Sequence, residues 1–213
     1  SIYFAFDNRG ERTIKQISLS GDLNEIASNV GGTTIGRPYI SGGFHIANGT
    51  TAYTYGKPDR PADVGVAIKG KTKVLTQLNE DILGYRKLGK VNEIIYNSSF
   101  DNEEIHGWYI TPPNFDPSKK YPLILEIHGG PHLAYGPHFS AELQMMAASG
   151  YIVFYDNYRG SSSYGEDFAL LLQYKYSSSE DFADHMSGID ALIDKGIVDE
   201  NNLFIAGGSA GGI

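Results

Sequence analysis

Cysteine is absent from all 213 residues, which excludes disulfides, thiolate zinc sites and a cysteine nucleophile. The absence suits a cytoplasmic protein, and that location is the expectation. Positive charge is scarce: 17 Lys and Arg face 25 Asp and Glu, a formal net charge of −8. Nucleic-acid partners are therefore not expected, because binding a phosphate backbone needs clustered cations. The short basic clusters at Lys69–Lys73 and Arg86–Lys90 read as solvated turns. No apolar run approaches the roughly 18 residues that cross a bilayer, so no membrane partner is expected. The N-terminus lacks the basic, apolar, small-residue order of a signal peptide. It reads as the inside of a strand, and an upstream segment is expected.

At 41% hydrophobic and 20% charged residues, the chain is ordinary globular material. Its first eighty residues are β-like. Ile2–Phe6, Thr13–Leu19 and Thr51–Tyr55 are β-branched and aromatic, with turn chemistry at Asp7–Gly10 and Ser20–Asp22. Ser18–Asp22 recurs in form as Ala67–Lys71, a spacing near the roughly 40–50 residues of a propeller blade. The pattern changes at residues 84–90, which are read as a linker. Val91–Tyr96 and Glu104–Ile110 suggest an antiparallel pair, with Pro112, Pro113 and Pro117 breaking structure beyond them.

From Tyr121 strand and helix alternate. Leu123–Ile127, Tyr151–Tyr155 and Leu203–Ala206 are strand-like. Phe139, Leu143, Met146 and Ala147 repeat at helical spacing before Gly150. A second helix has cap candidates at Ser177–Ser179, an apolar face of Phe182, Met186, Ile189 and Ile193, and a stop at Gly196. Such alternation predicts crossovers and a mostly parallel sheet.

The last strand leads into Gly207-Gly208-Ser209-Ala210-Gly211. A G-x-S-x-G turn presents a nucleophilic serine between strand and helix, and its glycines are steric necessities. No Lys follows and the dinucleotide spacing is not met, so a phosphate cradle is disfavoured and no cofactor is expected. Just past the first parallel-type strand lies Ile127-His128-Gly129-Gly130-Pro131-His132. Acyl transfer builds negative charge on a carbonyl oxygen, which preorganised N–H donors stabilise. Pro131 cannot donate, which leaves Gly129 or Gly130, with Ala210 as the second donor. His128, His132 and His138 sit near this loop. His185 reads as structural, and His45 and His106 have no evident role. Arg159 follows the second strand, where it either neutralises a buried carboxylate, the favoured reading, or orients a substrate. Asp156 and Glu166 read as loop ligands to backbone. No His, Asp and Glu cluster has metal-ligand spacing, so no metal is expected.

Three stretches together, GWYITPPNFDPSKKYPLILEIHGGPHLAYG, NYRGSSSYGEDF and AGGSAGG, resemble the start of the catalytic domain of prolyl oligopeptidase family serine peptidases. The acylaminoacyl-peptidase-like subgroup is the nearest match. The resemblance implies an α/β-hydrolase domain over residues 91–213, truncated, preceded by the last β-propeller blades over 1–83. It implies a peptidase acting on short peptides, with Ser209 as nucleophile and Gly130 and Ala210 as oxyanion donors. His128, Gly129 and Arg159 are the substrate-binding expectation. The family order, Ser then Asp then His, puts the last two downstream, so the remainder of the protein is expected as a partner and this chain alone is expected to be inactive. A homo-oligomer is also compatible. A carboxylesterase on the same scaffold and a non-catalytic propeller-based binding protein remain alternatives.

Overall fold

A computed structural model describes residues 1–176 and 178–213. Ser177, one of the expected cap candidates, lies outside the described residues. The chain divides into two compact units, Ser1–Lys87 with Gly136–Ala141, and Leu88–Tyr135 with Glu142–Ile213.

The first unit holds two antiparallel sheets. β1 (Ile2–Asn8), β2 (Glu11–Ile17) and β3 (Leu23–Ala27) form one of them. β4 (Phe44–Ala47), β5 (Thr50–Lys57), β6 (Arg60–Ile68) and β7 (Lys71–Val74) form the other. Ile14, Ala27, Val30, Tyr53 and Ala67 make its core. A short helix, α1 (Glu80–Leu83), follows β7.

The second unit is built on a five-stranded sheet. Its strands are β8 (Lys90–Asn97), β9 (Glu104–Thr111), β10 (Tyr121–Ile127), β11 (Ile152–Asn157) and β12 (Val198–Gly207), in the order β12-β10-β11-β9-β8. β10 pairs in parallel with both β11 and β12, whereas β9 pairs antiparallel with β11 and with β8. The sheet is thus mixed rather than mostly parallel. The β8–β9 hairpin, which needs no crossover, joins the sheet itself instead of standing apart as a separate pair.

The crossovers fix where loops converge. From β10 the chain passes through α2 (Ala141–Ala148) to β11 on one side. From β11 it passes through α3 (Glu166–Ala169) and α4 (Ser179–Asp194) to β12 on the other side of β10. Strand order therefore reverses at β10. In open α/β sheets the crevice at such a reversal, outside the carboxyl ends of the strands, is where ligands bind.

Both helices bury polar groups that an apolar face pattern does not show. Phe139 lies ahead of α2, and Gln144 is buried beside Leu143 and Ala147. Its carboxamide accepts from Gly89 N–H at 2.8 Å and donates to Gly89 C=O at 3.0 Å. α4 is capped by Ser178, whose hydroxyl oxygen accepts from Glu180 N–H at 3.2 Å while the Asp181 carboxylate accepts from Ser178 N–H at 2.8 Å. Such a box is worth about 1 kcal/mol. The face that α4 buries is Asp184, His185, Gly188, Ile189 and Leu192, and Phe182 is 64% exposed. Two of these five are charged or titratable and have buried partners, one at the end of β11 and one in the loop beyond it, described below.

Gly188 permits the closest approach of α4 to the sheet. A Cβ there would run into the Phe154 ring and come within 2.6 Å of Tyr96 Oη. Gly188→Ala is expected to cost about 1–3 kcal/mol through overpacking, read as a lower midpoint in urea unfolding of the complete protein.

Candidate active site

Three loops leave the carboxyl ends of β10, β11 and β12. The register places two of them level: Ile127 pairs with Gly207, so His128-Gly129 and Gly208-Ser209 emerge side by side. The turn after β12 is tight. Gly208 is extended, Ser209 has φ 57° and a 3-10 turn runs over Ser209–Gly212. A non-glycine residue in the left-handed region costs on the order of 1 kcal/mol and lifts the serine off the strand direction. A side chain on Gly207 would strike the Gly211 carbonyl, and one on Gly211 would strike the Ile127 carbonyl. These are the clashes that the spacing of a nucleophile elbow avoids.

Gly129 lies against this turn. A Cβ built on it would sit 3.0 Å from the Gly208 carbonyl oxygen, 3.2 Å from Ser209 Cβ and 3.7 Å from Ser209 Oγ. The HGGP loop and the serine turn, 80 residues apart in sequence, are therefore in contact.

The loop after β11 holds the HGGP loop in shape. His128 Nε2 is 2.9 Å from Ser161 Oγ, and Tyr158 Oη donates to the His128 carbonyl at 3.1 Å. Ser162 N–H donates to the Leu133 carbonyl at 3.0 Å. Asn157 accepts from Tyr135 N–H and donates to Tyr135 C=O, both at 2.8 Å. The His128 ring is stacked on Tyr158 at 4.7 Å and meets Tyr135 edge-on. Its Nδ1 is 2.8 Å from the Gly129 carbonyl. A carbonyl only accepts, so Nδ1 carries the proton. This fixes the Gly129–Gly130 peptide plane, and in that trans peptide the Gly130 N–H points opposite to the bonded carbonyl.

Arg159 anchors the holding loop. It is 0% exposed, and its guanidinium donates to Asp184 from Nε at 2.9 Å and from Nη2 at 2.8 Å. It also reaches Asp101 at 2.9 Å and Glu180 at 3.2 Å. Burial opposes its charge, but the hydrogen bonds of Asp184 and Asp101 outweigh burial and raise its pKa. Of the two roles expected for Arg159, this geometry is that of charge neutralisation: no part of the guanidinium is left for a substrate. His128, likewise 0% exposed, offers no surface to a ligand either. His128 is enclosed by Tyr135, Tyr158 and Ser161, and Arg159 by Asp184, Asp101 and Glu180.

Two buried histidines near Tyr158 carry opposite preferences. Burial pushes His128 down to about 4. For His185, burial acts in the same direction, but the Asp156 charge and hydrogen bond at 3.0 Å prevail and raise its pKa. Asp156 is lowered: burial would raise it, and His185 and the Tyr96 hydroxyl at 2.7 Å outweigh that. Asp156 is thus a side-chain partner within β11 rather than a loop ligand to backbone. His132 is exposed, and His138 falls in the first unit. Among the described residues no group of three or more His, Asp or Glu could hold a metal, and no helix is long and apolar enough to cross a membrane.

Comparison with known proteins accords with these loops. Residues 137–213 match the model of the prolyl oligopeptidase family. The chain belongs to that family. An uncharacterised peptidase of Bacillus subtilis, YuxL, is 36% identical over 158 residues, covering 73% of this chain and 24% of the relative. Acylamino-acid-releasing enzyme 1 of Oryza sativa is 37% identical over 91 residues, 43% of this chain and 12% of the relative. Among solved structures, the Pyrococcus horikoshii acylaminoacyl peptidase superposes with a TM-score of 0.84 at 30% identity, covering 99% of this chain and 32% of that one. An acylaminoacyl peptidase in complex with Z-Gly-Gly-Phe-chloromethyl ketone gives a TM-score of 0.82 at 30% identity, with the same coverage. The matches thus span 12% to 32% of the length of these longer relatives. The second unit corresponds to part of an α/β-hydrolase domain.

Tyr158, Ser161, Asn157 and Asp184 were not singled out from the sequence as site residues. For Tyr158, Ser161 and Asn157 the sequence signal is the cluster of side-chain donors packed into Asn157–Ser163 at a strand end; Asp184, within α4, has none.

Arg159→Met leaves Asp184 charged, buried and uncompensated, so stability should fall by about 3–5 kcal/mol, measured by chemical unfolding. His128 has a folded pKa of about 4 against 6.5 for an unperturbed histidine, so between those values the unfolded chain binds the proton first. Stability should therefore fall as pH drops through that window, by up to about 1.4 kcal/mol per pH unit from this group. His128→Gln should show a shallower fall in unfolding free energy over the same pH range.

Proposed function

We propose that the complete protein is a serine-type peptidase that hydrolyses short peptides through an acyl-enzyme on Ser209. The observation carrying most weight is the packing of Gly129 against Ser209, with the serine at positive φ. Together they support reading the two loops as the halves of an acyl-transfer site, a presented nucleophile and a backbone-donor loop. The family membership supports peptides as the substrate class, as does the peptide-like chloromethyl ketone held by one related acylaminoacyl peptidase.

In this reading Ser209 Oγ attacks the scissile carbonyl carbon and its proton passes to a histidine. The negative oxygen is met by N–H groups of Gly130 and Ala210, and Gly129 permits the close approach. The amine leaves with the proton, and water then releases the acyl group. The histidine and the aspartate that orients it are proposed to lie in the protein outside residues 1–213, following the Ser, Asp, His order of α/β-hydrolases. Residues 91–213 are read as the first half of the catalytic domain, 84–90 as a linker and 1–83 as blades of a propeller that limits access to small peptides.

The test uses the full-length protein. A fluorophosphonate should label Ser209, and Ser209→Ala should abolish labelling and lower turnover of acylated dipeptides by at least about 10³-fold. A correctly folded protein that resists labelling would overturn the proposal. Turnover of short-chain esters with none of acylated peptides would assign a carboxylesterase instead.

A further inference from the structure

The Asn157 side chain is engaged at every hydrogen-bonding group that the HGGP loop offers it, and the elements around it give that bonding a direction. Glu93 accepts from His106 Nε2–H at 2.7 Å, since a carboxylate only accepts. His106 Nδ1 lies 2.9 Å from Tyr164 Oη. The Tyr164 oxygen in turn accepts from Asn157 Nδ2 at 3.0 Å. The second Nδ2 hydrogen goes to the Tyr135 carbonyl and Oδ1 accepts the Tyr135 N–H, both at 2.8 Å. Only a carboxamide of this length supplies two donors and an acceptor here. Asp lacks both donors and Gln would overreach.

Tyr135 closes the loop that His128 opens. Between them lie Gly129 and Gly130, then Pro131–Ala134, with Leu133 held by Ser162 N–H. His128 fixes the near end and the Gly129–Gly130 plane, and Asn157 fixes the far end. A loop tied at both ends keeps a backbone donor at one place before substrate arrives, the condition under which such donors are effective.

We propose that Asn157 is a positioning residue for acyl transfer: by clamping Tyr135 it holds the HGGP loop, and with it the Gly130 N–H, in place beside Ser209. This rests on the acyl-transfer reading of Ser209 and Gly130. Asn157 touches no reacting atom; it acts through the loop. Displacement of a donor by about 1 Å lowers rate by up to about 10²-fold, so the signature is kcat, with KM nearly unmoved.

The experiment compares full-length wild type, Asn157→Asp and Tyr164→Phe with p-nitrophenyl butyrate as substrate, and turnover is expressed per active site titrated by fluorophosphonate. Asn157→Asp should lower kcat per titrated site about 10–100-fold with KM within about twofold. Tyr164→Phe removes one partner of the carboxamide and leaves the clamp, so its loss should be smaller, about 3–10-fold. A merely structural Asn157 would reduce the number of titratable sites and leave kcat per site unchanged; that result overturns the proposal. If Asn157→Asp yields no titratable site, Tyr164→Phe decides, and wild-type kcat per site in that variant overturns the proposal. Wild type lacking Ser209-dependent turnover would overturn the acyl-transfer reading and this one with it. Active wild type with unaffected variants would overturn the Asn157 role alone.

Discussion

The second unit depends on a buried guanidinium. Removing Arg159 from water costs several kcal/mol, which only well-placed carboxylates offset. Asp184 from α4 and Asp101 from the β8–β9 hairpin supply them. Because those partners come from two different elements, Arg159 fixes the backbone after β11 relative to both. That backbone carries Asn157, Tyr158, Ser161 and Ser162, and these four hold the HGGP loop at successive points. The order of dependence is ion pair, then holding loop, then HGGP loop. An error at the first step would propagate to the last without any change in the serine turn.

The serine turn has a different kind of support. It is set by strand register and by steric exclusion at Gly207 and Gly211, not by buried charge. One half of the site is therefore positioned by backbone packing and the other by a side-chain hydrogen-bond network. The two halves meet at Gly129, where the absence of a side chain lets them touch.

This division explains what could be read from the sequence. Steric rules leave a local trace, so the elbow and the HGGP loop were legible from glycine spacing after apolar strands, as was the alternation of strand and helix from Tyr121. Hydrogen-bond networks leave no such trace. Asn157 reads as a polar residue at a strand end, and its partner Tyr135 is 22 residues earlier. In α4, Ile189 is buried and Met186 and Ile193 pack against the core as expected, but Phe182 is exposed and buried Asp184 went unread for the same reason. An apolar pattern ranks Phe182 above Asp184, and only the Arg159 partner reverses that order. Gln144 shows the same blindness in α2, where a carboxamide bracketing Gly89 takes a buried position that hydrophobicity assigns to nothing polar. Sheet composition was missed at a third point, because antiparallel β8 and β9 join the parallel strands through β9–β11 pairing that no local pattern encodes.

The buried His185–Asp156 pair has the hydrogen bond of a catalytic His–Asp couple and is packed against Tyr158. Its Nδ1 faces Asp156 at 3.0 Å, as in a triad. But a general base must be neutral and within hydrogen-bond reach of the proton it takes, directly or through one water. Asp156 favours the charged form of His185, and the ring packs against Tyr158 at 4.7 Å, bordering a cleft walled by Ala210 and Gly211. On the other side of Tyr158, His128 is neutral, yet its Nδ1 is committed to the Gly129 carbonyl and its Nε2 to Ser161. The positive charge on His185 pushes His128 further in the same direction as burial does. One tyrosine ring thus packs against both a histidine whose charged form is favoured and one whose charged form is disfavoured. Both rings are tied into the packing around Tyr158, His185 by Asp156 and His128 by Gly129 and Ser161.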